Sequence, residues 1–400
     1  MKVLMVNKFL YPHGGSETYI LDIGRQLVKM GHEVQYFGMD DEQRTVGNRV
    51  ESYTTNMDFH AGGTQKILYP FKILYSSEAR KKIKVVLDDF VPDVIHLNNI
   101  NFQITPSIIY EIRKWEKQKK RTVKIVYTAH DPQWVCPNHM MMIPSTKELC
   151  FRCKNGKYSE CTKNKCIHNS FVKSLLGTVE AYMYKMLRTY KKVDEVICPS
   201  GFMRNTLASN RDLNDKLIVL HNYCETQKFS NGKKEDYILF FGRYSEEKGI
   251  ELLINVCEQL PEIKFVFAGD GPLKEKIAHI KNVKDVGFLK GDDLRTTIAS
   301  ARLVVVPSIW YENCPFTVIE AQNLGTPVIG SNIGGIPELI DEGNTGELVT
   351  AGNIEQLVEK IWKLWNDNVK CENYSKRCLE KQFDNVESYC QKLLSIYLYN

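Results

Sequence analysis

Two carboxylates, Glu312 and Glu320, are separated by seven residues in a segment that also carries the features of a helix start. A helix that begins near Phe316 would leave the backbone N–H groups of Phe316, Thr317 and Val318 without partners, and such groups bind anions. Carboxylates beside an anion site suit a ligand in which a phosphate is flanked by hydroxyl-bearing groups. A nucleotide-sugar has this composition, because its diphosphate separates a ribose from a second sugar.

The surrounding pattern predicts the elements that position these residues. The apolar run at residues 303–306 is typical of a buried strand. Pro315 favours a helix start, since its missing N–H costs nothing in the first turn, and Gly325 favours a helix end. We therefore predict a helix over residues 316–324 at the carboxyl end of a strand, with Glu312 in the loop before it.

Length and charge limit the class of protein. With 400 residues the chain is too long for one ordinary core, so we expect two domains. A net charge of +5 favours anionic ligands or an anionic membrane surface and falls short of a nucleic-acid binder. The sequence shows no signal-peptide pattern and no apolar run of about 18 residues. We expect a cytoplasmic protein, located at the inner face of the membrane if it meets lipid.

The first residues predict a β-α-β unit with a glycine-rich turn. Residues 2–7 and 33–37 are apolar strand patterns, and residues 17–30 have helical periodicity. The turn between them is not the G-x-G-x-x-G dinucleotide fingerprint, but it places Gly14 and Gly15 at a helix start, where N–H groups bind phosphate. A tight turn without a ligand is the alternative.

A histidine and two cations occupy further strand ends. His130, followed by Asp131, comes after the buried run at residues 124–127, at the end of a strand where α/β sheets bind ligands. A purely structural histidine is the alternative. Arg243 and Lys248 follow the first strand of the second half, where they could neutralise a departing diphosphate. Solvated surface charges are the alternative for this pair.

A cysteine-rich stretch at residues 134–168 interrupts the first half. Cys150, Cys153, Cys161 and Cys166 form a C-x2-C-x7-C-x4-C pattern, with Cys136 as an alternative member. Four thiolates bound to a structural zinc ion would stabilise a loop that has few apolar residues to form a core. An iron–sulfur cluster, unlinked thiols in a lid, a redox-labile pair, or a metal or redox sensor are the alternatives.

Residues 170–192 combine basic and aromatic side chains in a helical pattern, and residues 65–86 form a second candidate of this kind. One interpretation is contact with a lipid surface. The other is a core helix whose basic side is solvated.

The motifs together resemble retaining glycosyltransferases of family 4, which have the GT-B fold. The resemblance is carried by YPHGGSETYILDIGRQLVKMGHEV, GRYSEEKGI, AGDGP, VGFL and SIWYENCPFTVIEAQNLGTPVIGSNIGGIPELI, and it covers nearly the whole chain. The cysteine-rich loop is similar to one in a subset of bacterial members. The predicted fold is α/β, with two Rossmann-like doubly wound domains facing a cleft.

The predicted domains follow from this division of the chain. Residues 1–222 form the acceptor-side domain with the insertion at 134–168, residues 223–236 a linker, and residues 237–375 the nucleotide-sugar-binding domain. Residues 376–400 form a terminal helix that packs on the first domain.

The resemblance also implies residue roles. The four catalytic candidates are His130, Arg243, Lys248 and Glu312. Arg243 and Lys248 would bind the donor diphosphate, Glu312 the donor sugar and Glu320 the ribose. The remaining donor-binding candidates are Gly14, Gly15, Gly287, Phe288, Leu289, Phe316, Thr317 and Val318, where the 287–289 loop would flank the base.

The implied reaction is hexosyl or N-acetylhexosaminyl transfer from a UDP- or GDP-sugar, with retention at the anomeric carbon. No D-x-D pair stands at a strand end, so we expect catalysis without a metal cofactor; Asp292 and Asp293 are expected at the surface. The acceptor would be a glycan or a lipid-linked glycan, as in surface polysaccharide assembly, with peripheral membrane association. The alternatives are a nucleotide-sugar epimerase or phosphorylase of the same fold, and a catalytically idle nucleotide-sugar-binding scaffold.

Overall fold

The computed structural model describes residues 1–56, 74–224 and 233–398. The chain forms two compact units. The first comprises Met1–Leu220 together with Cys390–Asn400, and the second comprises His221–Tyr389. Most of the predicted linker at 223–236 lies outside the described residues.

The first unit is built on a parallel sheet whose described strands lie in the order β2-β1-β3-β4-β7-β8. The central strands β1, β3 and β4 are buried and mostly apolar, as expected for a sheet that is covered by helices on both faces. Their bounds are Lys2–Val6 (β1), Glu33–Phe37 (β2), Val94–Leu97 (β3), Lys124–Thr128 (β4), Glu195–Cys198 (β7) and Leu217–Val219 (β8).

Helices follow the strands of this sheet. Their bounds are Gly15–Lys29, Ser77–Phe90, Ile108–Lys119, Phe171–Met186 and Gly201–Leu207. The cysteine-rich insertion contributes a small antiparallel hairpin and a short helix, with bounds Met142–Ile143 (β5), Glu148–Leu149 (β6) and Ser159–Lys163. Of the predicted helical stretch at residues 65–86, positions 65–73 lie outside the described residues.

The second unit has a parallel sheet whose described strands lie in the order β11-β10-β9-β12-β13-β14. The strands are Glu235–Arg243 (β9), Phe265–Asp270 (β10), Val283–Asp285 (β11), Ala301–Val306 (β12), Val328–Ser331 (β13) and Gly346–Val349 (β14). The helices are Ile250–Gln259, Lys274–Ile277, Gly291–Ser300, Phe316–Asn323, Ile336–Leu339, Ile354–Trp365 and Asn368–Glu380. The predicted class, two doubly wound α/β domains with parallel sheets, is confirmed.

The last helix, Val386–Leu398, differs from the predicted terminal helix. Residues 376–380 belong instead to the preceding helix, and the break falls at residues 381–385. From Cys390 onward the chain is part of the first unit. There the hydroxyl of buried Tyr397 lies 2.6 Å from Nδ1 of His96 on β3. Among the described helices, none has the length and apolar character needed to span a bilayer.

Candidate functional site

An ion pair lies at the carboxyl ends of β9 and β12 in the second unit. Nζ of Lys248 is 2.6 Å from Oε1 of Glu312, and the Ser308 hydroxyl donates to the same oxygen at 2.8 Å. Among the described residues, only Oε1 of this carboxylate accepts hydrogen bonds. The side chains of Lys248 and Glu312 are 34% and 16% exposed, so a ligand can still reach the pair. Ser308 was not among the predicted site residues, although it lies closer to the end of β12 than Glu312 does.

Two glycines fix the positions of these side chains. Gly249 has φ +76°, and a Cβ there would lie 2.0 Å from the Pro307 carbonyl oxygen. Gly334 has φ +61°, and a Cβ there would lie 2.2 Å from the carbonyl oxygen of Glu312. The adjacent N–H of Gly335 donates to that same oxygen at 2.8 Å. Lys248 and Glu312 are therefore held together by close backbone contacts that no larger residue allows.

The other predicted cation, Arg243, ends β9. Its side chain is exposed and forms no ion pair with the described residues, so it is available to an anionic ligand. Buried Tyr244 follows it and donates its hydroxyl to Asp285 at 2.9 Å. The same Asp285 oxygen accepts the N–H of Gly287 at 2.9 Å. Tyr244 and Asp285, which the sequence did not indicate, thus connect the cation loop to the predicted base-binding loop.

In that base-binding loop, Gly287 has φ +71°, the left-handed conformation that glycine adopts readily. The ring of Phe288 is 70% exposed, and Nζ of Lys290 lies 6.0 Å from its centroid. Leu289 is half-buried. An exposed aromatic ring of this kind offers a stacking surface to a planar group.

The helix after Glu312 spans Phe316–Asn323 and is capped by Pro315, as the sequence predicted to within one residue. The N–H of Val318 donates to the Pro315 carbonyl at 3.2 Å, so the prediction that this group is unpartnered is wrong. The helix ends before Gly325, which has φ +72°.

Glu320 lines a cavity of about 130 Å³ on the side of this helix that faces the helix Gly291–Ser300. Arg295 and Asn323 also line it, next to the apolar side chains of Leu294 and Ile298. The cavity therefore combines a carboxylate, a guanidinium and an amide with an apolar floor, a combination that suits a sugar ring.

Predicted residues of the first unit lie at the carboxyl ends of β1 and β4. Gly14 is the extended residue before the helix Gly15–Lys29, and a Cβ on Gly15 would meet nothing within 4 Å. Buried Glu17 accepts hydrogen bonds from Asn7 and Ser16, each at 2.9 Å. No steric contact within the described part of this unit requires glycine at position 15, which leaves space at the helix start.

His130 is placed by Asn98, which follows β3. Nε2 of His130 lies 2.9 Å from Oδ1 of Asn98, while the Asn98 amide donates to backbone carbonyls, so Nε2 carries the proton. Desolvation lowers the pKa of His130 to about 4, although Asp131 and Glu17 act in the opposite direction. His130 is therefore neutral at physiological pH. The sequence analysis did not predict Asn98, although Asn98 follows the end of β3 much as His130 follows the end of β4.

Acidification should destabilise the first unit through His96. Burial lowers the pKa of His96 to about 3, below its ordinary value of 6.5. Below pH 6.5 the unfolded chain binds a proton that the folded chain does not, so stability present above this pH is lost at about 1.4 kcal/mol per pH unit as pH falls. Urea unfolding of His96→Asn at pH 7 and pH 5 should show a weaker pH dependence than the parent. His168→Asn, at an exposed position, is the control. An unchanged pH slope in His96→Asn would contradict the assignment.

The predicted metal ligands come together but do not form a metal site. Among the described residues, no group of three or more His, Cys, Asp or Glu side chains is arranged to hold a metal ion. Instead, the thiols line a cavity of about 20 Å³. These thiols are Cys136, Cys150, Cys153, Cys161 and Cys166.

Burial shapes the chemistry of these thiols. It raises the pKa of Cys136 to about 12 and also raises the pKa of Cys153. Cys136 donates to the Asn138 side chain at 2.8 Å. The insertion is held by an apolar cluster that includes Ile143 and Tyr158. All twelve cysteines of the chain are free, and all except Cys150 are buried.

Comparisons with known proteins identify the family of the chain. Residues 13–228 match the family described as Glycosyltransferase Family 4, and residues 225–380 match Glycosyl transferases group 1. An uncharacterized 41.2 kDa protein in the cps region of Klebsiella pneumoniae is 32% identical over 313 residues, which are 75% of this chain and 78% of that protein.

Two further relatives are informative. The sulfoquinovosyl transferase of Arabidopsis thaliana is 36% identical over 161 residues, which are 38% of this chain and only 31% of that protein. The crystal structure of Anabaena HepE in complex with UDP superposes with a TM-score of 0.68 and 18% identity, covering 99% of both chains, and so shares the fold. Because the Family 4 match alone spans more than half of the chain, the protein belongs to glycosyltransferase family 4, within the GT-B glycosyltransferases of group 1.

Proposed function

We propose that the protein transfers a hexosyl or N-acetylhexosaminyl group from a UDP- or GDP-sugar, with retention, to a glycan or lipid-linked acceptor. The observation that carries the proposal is the arrangement of Lys248, Glu312 and Ser308 at the ends of two adjacent strands. A cation and a hydroxyl fix one oxygen of Glu312, which leaves Oε2 to accept a hydroxyl of the donor sugar. Exposed Arg243 supplies a second positive charge for the diphosphate.

The proposed reaction breaks the bond between the anomeric carbon and the donor phosphate oxygen, and forms a bond from that carbon to the acceptor oxygen. The acceptor hydroxyl proton passes to the departing phosphate on the same face of the sugar. Lys248 and Arg243 neutralise the developing charge on the diphosphate, so the protein acts by positioning and charge stabilisation. No protein carboxylate is assigned as a covalent nucleophile.

His130 has a different role in this proposal. It is a neutral imidazole that donates its Nε2 proton to Asn98. It would therefore position a sugar hydroxyl instead of contributing charge. Gly14 and Gly15 would approach the diphosphate through their backbone N–H groups, and Glu320 would accept ribose hydroxyls.

We place the acceptor in cell-surface polysaccharide or glycoconjugate assembly, at the cytoplasmic face of a membrane. The Klebsiella relative, which is described as a protein in the cps region, supports this placement. UDP in the HepE complex supports a nucleotide-sugar donor. The sulfoquinovosyl transferase supports transfer of a sugar.

A donor screen tests the proposal. Release of nucleotide from UDP-sugars and GDP-sugars is measured side by side, with and without EDTA, and circular dichroism checks folding in each sample. We expect turnover with at least one donor that persists in EDTA, and a product that keeps the anomeric configuration of the donor by NMR. Turnover that returns only with Mg2+ or Mn2+ would refute metal-independent catalysis. Donor binding without turnover would favour the idle scaffold, and interconversion of the donor sugar would favour an epimerase.

A further inference from the structure

The helix Phe171–Met186 exposes an apolar stripe on its surface. We define the apolar ribbon as Phe171, Val172, Leu175, Val179, Met186 and the following Leu187. Met186 is 79% exposed, Val172 73% and Phe171 54%. The spacing 171, 175, 179 places successive members one turn apart on one face, and the ribbon is about 22 Å long at 1.5 Å per residue.

The opposite face of this helix is buried, yet it is largely polar or small. The buried residues are Ser174, Gly177, Thr178, Glu180 and Tyr184. A soluble surface helix normally has the reverse arrangement, with its apolar side chains inside. The helix therefore exposes much of its apolar surface, although Ala181, Met183 and Tyr184 still pack inward.

Specific contacts hold the helix in this orientation. The hydroxyl of Thr178 donates to the Tyr158 carbonyl at 3.0 Å, and Thr162 donates to the Thr178 hydroxyl at 2.8 Å. The Ser174 hydroxyl accepts the N–H of Ile167 at 2.9 Å. A Cβ on Gly177 would lie 2.5 Å from the Ile167 side chain, so the helix is packed closely against the cysteine-rich insertion. Rolling the helix to bury the ribbon would break all of these contacts.

The charges around the ribbon have one sign. Within residues 171–192, all of which the structure describes, the exposed charged side chains are Lys173, Lys185, Arg188 and Lys191. The only acid of this segment, Glu180, is buried among the polar contacts, where desolvation raises its pKa to about 8. Arg188 pairs with Asp212 at its base and remains 62% exposed. The ribbon and its rim are therefore apolar and cationic.

We propose that the apolar ribbon is a docking surface for an anionic lipid bilayer. An apolar stripe with a cationic rim is the pattern of helices that lie in the bilayer interface, with apolar side chains among the acyl chains and basic ones at the headgroups. The absence of exposed acids in this described segment fits a negative lipid surface. This docking proposal does not rest on the proposed transferase activity. Vesicle binding can be measured without turnover.

Vesicle sedimentation of the full chain tests this surface. Vesicles of phosphatidylcholine alone are compared with vesicles that contain phosphatidylglycerol. We expect at least tenfold stronger binding to the anionic vesicles, weakened by salt, and a further loss of at least tenfold in the double variant Val172→Gln/Met186→Gln. Lys173→Gln should reduce binding to anionic vesicles only. The matched control is Val369→Gln/Leu398→Gln, at positions 70% and 68% exposed outside the ribbon, and it should bind like the parent.

Three outcomes would overturn the proposal. One is absence of binding to anionic vesicles, and another is an equal loss in the control variant. The third is self-association in sedimentation velocity that the ribbon variant abolishes, which would make this face an interface between two copies. Nucleotide release is also measured without vesicles, and it should be the same in the parent and the ribbon variant. A failure of the proposed transferase activity is thereby distinguished from a failure of vesicle binding.

Discussion

Lys248→Ala should lower kcat/KM for the preferred donor by about 10²–10³-fold, because it removes a cation that stabilises the leaving diphosphate. Its cost to folding should stay below about 1 kcal/mol. The ion pair with Glu312 is partly exposed, and the Ser308 hydroxyl still holds the carboxylate after the change. The measurement combines steady-state nucleotide release with thermal unfolding of the same preparation.

Lys363→Ala is the matched control for this variant. Lys363 lies on the helix Ile354–Trp365 of the same unit, is 68% exposed and pairs with Glu359. It should keep both activity and melting temperature. Activity within threefold of the parent in Lys248→Ala would show that the donor site lies elsewhere.

Gly334→Ala should reduce activity by about 10²-fold without changing any polar group of the site. Alanine at φ +61° costs about 1–2 kcal/mol, and its Cβ would lie 2.2 Å from the Glu312 carbonyl oxygen. The loop must therefore shift, and a displacement of about 1 Å at a catalytic group is enough for a loss of this size. Urea unfolding gives the stability change, and donor kinetics give the loss of activity.

Gly343→Ala separates backbone strain from displacement of Glu312. Gly343 has φ +81°, but a Cβ there would meet nothing within 4 Å. This variant should lose about the same 1–2 kcal/mol from the left-handed conformation and retain donor turnover. If both variants lose activity equally, general destabilisation explains the effect and the contact with Glu312 does not.

The central strands were predictable because buried parallel strands are continuous apolar runs. β1 and β12 were located in this way to within two residues at each end. β8 and β13 were missed, since runs of three or four residues between turn signals do not stand out from loops. The strand ends also indicated Lys248 and Glu312, because parallel strands deliver their loops to one edge of the sheet.

Contacts between distant residues could not be predicted in the same way. Glu347 on β14 is buried, and burial would raise its pKa, but Lys360, Lys370 and Tyr374 together lower it to about 2. These partners lie on two later helices, and no local pattern links them to β14. The cysteine spacing likewise could not show that Cys136, Cys153, Cys161 and Cys166 are buried and line one small cavity.

The last helix carries a consequence for how the protein is made. Cys390, Leu393 and Tyr397 are buried within the first unit, although they follow the whole second unit in the sequence. Ribosomes deliver the chain from its amino terminus, so all of the second unit is synthesised before the first unit has its full set of core residues. The half that begins synthesis first is therefore the half that is completed last.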